Sequence, residues 1–215
     1  MAVADRKARH RASLRREIID AASRLFVEDG YNRVTMRRIA ARIEYSPTTI
    51  YLYFKDKQEL FAAVCEETFS ELTANLERLA ATSGTPLARL RDSLRTYIEF
   101  GITHPDQYTV AFVTPSKSAA NTAFESSIRR RTVDALGRSV QACVDHGSIR
   151  TPSVEWTTQA LWAAVHGLTT LFITMRGFPL APQHELVEHE LDVLIGGLRP
   201  PSPRPAAQSR SSFID

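Results

Sequence analysis

The residues of this chain best placed to do chemistry lie in one stretch, Val34–Leu60, VTMRRIAARIEYSPTTIYLYFKDKQEL. There Ile50 and Phe54 form a buried i,i+4 pair on a short helix, which leaves Thr48, Thr49, Tyr51 and Tyr53 facing elsewhere. A polar and aromatic face on a short helix suits a DNA major groove. The charge distribution agrees with that. Residues 1–60 hold 13 Lys/Arg against 8 Asp/Glu, whereas residues 61–215 hold 14 against 16, so the basic end coincides with this helix.

Other reactive side chains are scattered. His10, His104, His146, His166, His184 and His189 show no metal-ligand spacing, and no Gly-rich phosphate loop occurs. Glu185, Glu188, His189 and Glu190 imitate a metal cluster, but they fit the wet face of a helix better. Arg129, Arg130 and Arg131 point about 100° apart on a helix and read as a solvated face. Cys65 and Cys143 sit inside helical patterns and imply no disulfide framework. No enzyme, metal or cofactor is expected.

The elements that position the exposed face are capped in the sequence itself. Thr35 caps a helix whose buried side is Met36, Ile39, Ala40 and Ile43. Ser46 caps the next, with Pro47 at its first position, and Asp56 opens a third with Glu59 in a capping-box arrangement. Two short helices joined this tightly make a helix-turn-helix. A preceding helix, Leu14–Asp29, buries Ile18, Ala22, Leu25 and Phe26 and ends at Gly30. Residues 1–13 lack apolar periodicity and read as a flexible basic arm, free in solution or following DNA phosphates or a minor groove.

The helix from Asp56 continues to about Ala81, roughly 37 Å, far enough to enter a second domain. Helices follow at Leu87–Thr103, Asp106–Val113, Asn121–His146, Val154–Met175 and Gln183–Leu198, with a polar loop at Thr114–Ser118. The fold class is all-α. The expected division is an arm (1–13), a head (14–60), a helical domain (61–198) and a disordered Pro/Ser-rich tail (199–215). With 43% apolar residues, 24% charged, and no run near the ~20 residues of a membrane span, a cytoplasmic protein is expected.

The run Ile50–Leu60, IYLYFKDKQEL, preceded by FVEDGY at Phe26–Tyr31, resembles the signature of the TetR family of bacterial transcription regulators. The segment LWAAVHGL at Leu161–Leu168 resembles the Trp–His–Gly signature of one subgroup of its C-terminal domains. The resemblance implies a three-helix DNA-binding head and a helical domain that binds a small molecule and dimerises. On the matching positions, Arg37 is placed to reach a guanine edge, while Thr48 and Thr49 open the recognition helix. Tyr51 and Lys57 match phosphate-gripping positions, Tyr53 a backbone or base contact, and the caps Thr35 and Ser46 complete the DNA-facing set. Glutamate stands at Glu44, where the family usually has glycine in the turn; a left-handed backbone there costs on the order of 1 kcal/mol.

The resemblance also implies a pocket among Tyr97, Phe100, His104, Tyr108, Phe112, Trp162 and His166, an aromatic set with a few polar tips. Leu161, Leu168, Val187, Leu191, Leu194 and Leu198 are the expected dimer contacts, in a four-helix bundle of the last two helices and their copies. The expected function is a dimeric repressor released from a palindromic operator by a small apolar or aromatic effector. A DNA-binding protein with no ligand response is the alternative.

Overall fold

A computed structural model describes residues 2–113, 122–175 and 177–200, with the side chains of all but 2–4 and 122–128. The regular structure among them is helical: α1 Ala2–Asp29, α2 Met36–Arg42, α3 Pro47–Tyr51, α4 Lys57–Ala80, α5 Pro86–Thr103, α6 Pro105–Tyr108, α7 Thr122–Asp145, α8 Val154–Thr174 and α9 Gln183–Leu198. The polar loop expected at Thr114–Ser118 and all but the first two residues of the expected tail lie outside the described residues.

Helix α1 begins at Ala2, so residues 2–13 are a helical extension of α1 and not an irregular arm. The segment has alanine and basic residues of high helix propensity and neither Gly nor Pro. It lacks an apolar stripe because residues 5–13 are exposed; burial begins at Leu14. Gly30, at φ 77°, ends the helix as expected.

Two hydrophobic cores share one helix. The first packs Leu14, Ile18, Leu25 and Phe26 of α1 against Ile39 of α2 and Ile50 of α3, then continues along α4 from Leu60 to Phe69. The second takes over α4 at Leu72 and Leu76 and packs it with α5, α7, α8 and α9. At 24 residues, α4 is about 36 Å long.

The expected helix over residues 106–113 is two pieces. Helix α6 ends at Tyr108, and the chain widens into a π turn over Thr109–Val113. That widening lets Val110 and Ala111 join the first core while Tyr108 and Phe112 pack on the second. The segment therefore bridges the cores a second time.

Most of the expected dimer contacts are interior. Leu161, Leu168, Val187 and Leu191 are buried within their own protomer, and Leu194 and Leu198 are half-buried against the same core. Periodicity identifies a buried stripe but not whose core it fills. Glu188 also departs from the wet face assigned to it. Its carboxylate bridges Arg95 (Nε 2.8 Å, Nη2 2.9 Å) and Arg91 (Nη2 2.9 Å), and Arg91 reaches Asp192 at 2.6 Å, which ties α9 to α5. Between α5 and α8, Gly101 leaves room for its neighbours: a Cβ there would overlap Thr169 Cγ2 and come within 2.9 Å of Tyr108 Cδ2.

Candidate nucleic-acid interface and interior cavity

The head is fixed by local caps and long-range ties. Thr35 Oγ1 accepts the Arg38 amide at 3.2 Å, Ser46 Oγ accepts the Thr49 amide at 3.1 Å, and Asp56 Oδ1 accepts the Glu59 amide at 2.8 Å. Glu59 reaches back one residue further than a capping box requires, to the Lys55 amide at 2.7 Å. Helix α2 closes in a Schellman motif, with Tyr45 N–H bonding Ala40 O and Glu44 N–H bonding Ala41 O. Glu44 sits in it at φ 58°, the one positive φ at a non-glycine among the described residues. The turn thus keeps the geometry that a glycine would serve, and Glu44 bears the strain.

These ties separate the arginines of α2. Arg42 grips Glu28 with two nitrogens (2.7 and 3.3 Å), and Arg38 pairs with Asp29 at 2.7 Å; both hold α2 to the end of α1. Arg37 is exposed and hydrogen-bonds nothing among the described residues. Thr48 is exposed, and Tyr51, 53% exposed, projects from the end of α3. Arg37, Thr48 and Tyr51 thus present donors outward while Ile50 and Phe54 anchor α3 from beneath.

Other members of the expected set are partly engaged. Thr35 and Ser46 serve as caps, and Thr49 Oγ1 lies 2.9 Å from Ser46 Oγ. Tyr53 is half-buried beneath the Arg11 guanidinium, 5.8 Å from its ring centroid. Lys57 is turned inward. Its ammonium donates to Tyr31 O (2.7 Å) and Val34 O (2.9 Å) and lies 4.3 Å from the Tyr31 ring centroid. Burial lowers its pKa from the ordinary lysine value. In this conformation Lys57 clips the start of α4 to the turn before α2.

The second core contains a cavity of about 130 Å³. Of the expected residues, Tyr97, Phe112, Trp162 and His166 line it. Tyr108 is fully buried behind them, stacked on Phe112 with ring centroids 4.5 Å apart. Phe100 and His104 are elsewhere: they border a polar depression between α1, α4 and α6. His104 stacks on Phe100, which faces it away from the cavity.

A hydrogen-bond chain runs along the cavity wall. Trp162 Nε1–H donates to Tyr97 Oη at 3.0 Å, and Tyr97 Oη lies 3.1 Å from Tyr108 Oη. His166 Nδ1 is 2.5 Å from Tyr108 Oη and 3.2 Å from Tyr97 Oη. Desolvation pushes the Tyr97 phenol up to about 12, raises Tyr108 further, and lowers His166. Both phenols and the imidazole are therefore neutral near pH 7.

Phe69, Leu76, Ser93, Arg129, Thr132 and Leu136 also line the cavity, and none was expected to. Arg129 is exposed, as expected, but also reaches inward: Nη2 donates to Ala111 O at 3.0 Å, and the guanidinium lies 5.6 Å from the Phe69 ring centroid. A signal was available. Arg129, Val133, Leu136 and Val140 recur at spacings of four, three and four, so Arg129 extends the apolar stripe of α7.

The sequence matches a known pair of modules. Residues 18–64 match the family model described as bacterial regulatory proteins, tetR family, and residues 90–194 match a tetracyclin repressor-like C-terminal domain, together well over half of the chain. The chain belongs to the TetR family. The description of the second model does not name the Trp–His–Gly subgroup, so that resemblance rests on Trp162, His166 and Gly167 alone.

Among curated TetR relatives, the HTH-type transcriptional repressor Rv1474c of Mycobacterium tuberculosis is 34% identical over 99 residues, 46% of each chain. The HTH-type transcriptional repressor KstR of Mycolicibacterium smegmatis is 34% identical over 76 residues, 35% of this chain and 37% of that one. The match thus spans about a third to a half of these relatives. Solved structures share the fold over most of the chain. A TetR/AcrR-family regulator of Thermobifida fusca superimposes with a TM-score of 0.68 at 23% identity, covering 87% of this chain and all of that one. The ketosteroid transcriptional regulator KstR2 of Mycobacterium tuberculosis gives 0.71 at 17% identity, covering 87% and 95%. Among the described residues of this TetR-family regulator, no helix is long and apolar enough to cross a membrane.

Proposed function

We propose that the chain is a dimeric, cytoplasmic repressor that binds a near-palindromic operator and is released by a small molecule held in the cavity of the second core. The observation that carries this reading is that α4 belongs to both sites. Its first half fixes the head, and its second half supplies Phe69 and Leu76 to the cavity wall. The π turn doubles the link, with Ala111 in the head's core and Phe112 against the cavity.

Size supplies the coupling. Small-molecule sites usually occupy about 300–1,000 Å³, so a cavity of about 130 Å³ admits a typical effector only by moving its walls. Packed walls move as units, and α4 or the π turn would carry that displacement into the head. Two recognition helices must lie about 34–36 Å apart to enter successive major grooves. Tilting α4 in each protomer spoils that spacing. A coupling of about 1–3 kcal/mol corresponds to a loss of about 5–150-fold in operator affinity.

Within the head, Arg37 and Thr48 would read base edges and Tyr51 would grip a phosphate. The second copy would dock on the outer faces of α8 and α9, where Trp156, Leu171 and Val193 are exposed beside Ala160, Ala163 and Gly167. Gel shifts with promoter fragments and random DNA test the reading. A specific fragment should bind, Arg37→Ala should relax discrimination at one position at a cost of about 1–3 kcal/mol, and Tyr51→Phe should weaken specific and random DNA alike. Equal affinity for random and promoter DNA, with salt as the sole control, would support a nonspecific binder without ligand response instead.

A further inference from the structure

Beside the outward donors of Arg37, Thr48 and Tyr51 stands an apolar side chain that they do not account for. Leu52 follows Tyr51 directly, is 71% exposed, and is not among the residues packed on the head's core. A single exposed leucine is ordinary on a protein surface. Its place on α3 is what gives it meaning.

Leu52 caps α3 with helical dihedrals (φ −72°, ψ −16°), and its amide donates to Thr49 O at 3.2 Å, so it continues the turn. Thr48 precedes the fully buried Ile50 by two positions, and Leu52 follows it by two. At about 100° per residue each lies about 160° round the axis from Ile50, and the two are about 40° apart. Both are exposed. Thr48 and Leu52 therefore form one ridge, i and i+4, on the side of α3 opposite its anchor.

That ridge is the part of a recognition helix that goes deepest into a major groove. The base edges there carry hydrogen-bond donors and acceptors, and the one apolar feature among them is the C5 methyl of thymine. Leucine has nothing to offer a donor or acceptor, so a polar edge beneath it would lose its water without replacement. A methyl in the same place loses apolar hydration alone, which favours contact.

From this placement we infer that Leu52 is a specificity-determining residue that reads a thymine methyl, one in each half-site of the operator. Thr48, one turn earlier on the ridge, takes a neighbouring base edge, and Tyr51 holds the backbone beside them. The inference rests on the proposed operator binding and adds a base identity to it.

Uracil lacks that methyl and keeps the pairing edge of thymine. A promoter fragment bound in gel shifts is therefore amplified with dUTP in place of dTTP, and both duplexes are titrated with the wild-type chain and with L52A. The wild-type chain should bind the uracil duplex about tenfold more weakly, the scale set by withdrawing one buried methyl per half-site. L52A should bind the thymine duplex about tenfold more weakly than the wild type does, and should distinguish the two duplexes by no more than about twofold. Its Tm should be unchanged, because the side chain is exposed, and this separates a lost contact from a damaged head. Equal binding of the two duplexes by the wild type, or the same loss on uracil in L52A, would overturn the role of Leu52 while leaving operator binding in place. Failure to find any fragment preferred over random DNA would remove the operator reading and this inference with it.

Discussion

Among single residues, Glu44 offers the sharpest test. It holds the left-handed position of the Schellman turn between α2 and α3, at φ 58°. An L-residue there is strained by about 1–2 kcal/mol, which glycine relieves at a smaller entropic cost in the unfolded chain. E44G should therefore stabilise the protein by about 1 kcal/mol, a rise in Tm of about 2–4 °C for a chain of this size. Thermal unfolding followed by circular dichroism measures it, and an unchanged or lower Tm would show that Glu44 relieves the strain by a contact of its own. The strain was legible in the sequence because it depends on neighbours a few positions away. So were the caps at Thr35, Ser46 and Asp56. Lys57 was not, since its partner, Tyr31 O, lies 26 residues away; for Arg129 the spacing along α7 was legible, but its partner Ala111 O, 18 residues away, was not.

Between elements, the tie from α9 to α5 makes a prediction about acid. Arg95 and Arg91 hydrogen-bond the Glu188 carboxylate and hold its pKa down to about 2 in the folded state, below the ordinary value of 4.5. Above about pH 5 the group is ionised in both states, and the pair contributes fully. As pH falls, the unfolded chain takes up the proton first, so the contribution is lost between about 4.5 and 2. Replacing Glu188 by Gln should cost about 1 kcal/mol at pH 7, the range of a partly exposed pair of good geometry. Urea unfolding of the two proteins across pH should show that gap closing toward pH 2; a gap that is constant with pH would rule out an ionic origin. The helices themselves were largely readable, since α4, α5, α8 and α9 each carry a 3.6-residue apolar period. Periodicity failed where burial does not generate it, along the exposed first turns of α1. It also could not show the widening at Thr109–Val113, which depends on two cores claiming alternate side chains of one segment.

Across the whole molecule, what matters is which surfaces remain after the protomer has packed its own two cores. Leu191 and Val193 are two positions apart on α9, yet Leu191 is fully buried and Val193 is 56% exposed. The same division on α8 separates buried Leu168 from Leu171, 42% exposed. If the outer faces of α8 and α9 meet a second copy, a carboxylate at Leu171 and Val193 would be buried without a partner in the dimer but solvated in the monomer. An unpaired buried charge costs about 3–5 kcal/mol. The L171E/V193E protein should therefore sediment as a monomer with undiminished helical circular dichroism, and its operator affinity should fall by at least about 100-fold. L191A should behave in the opposite way. It opens a cavity in the protomer's own core and should lower stability by about 2–5 kcal/mol without making the dimer selectively weaker. Sedimentation of both proteins over a range of concentrations separates the cases. A dimer that persists in L171E/V193E would place the second copy on another face of the helical domain.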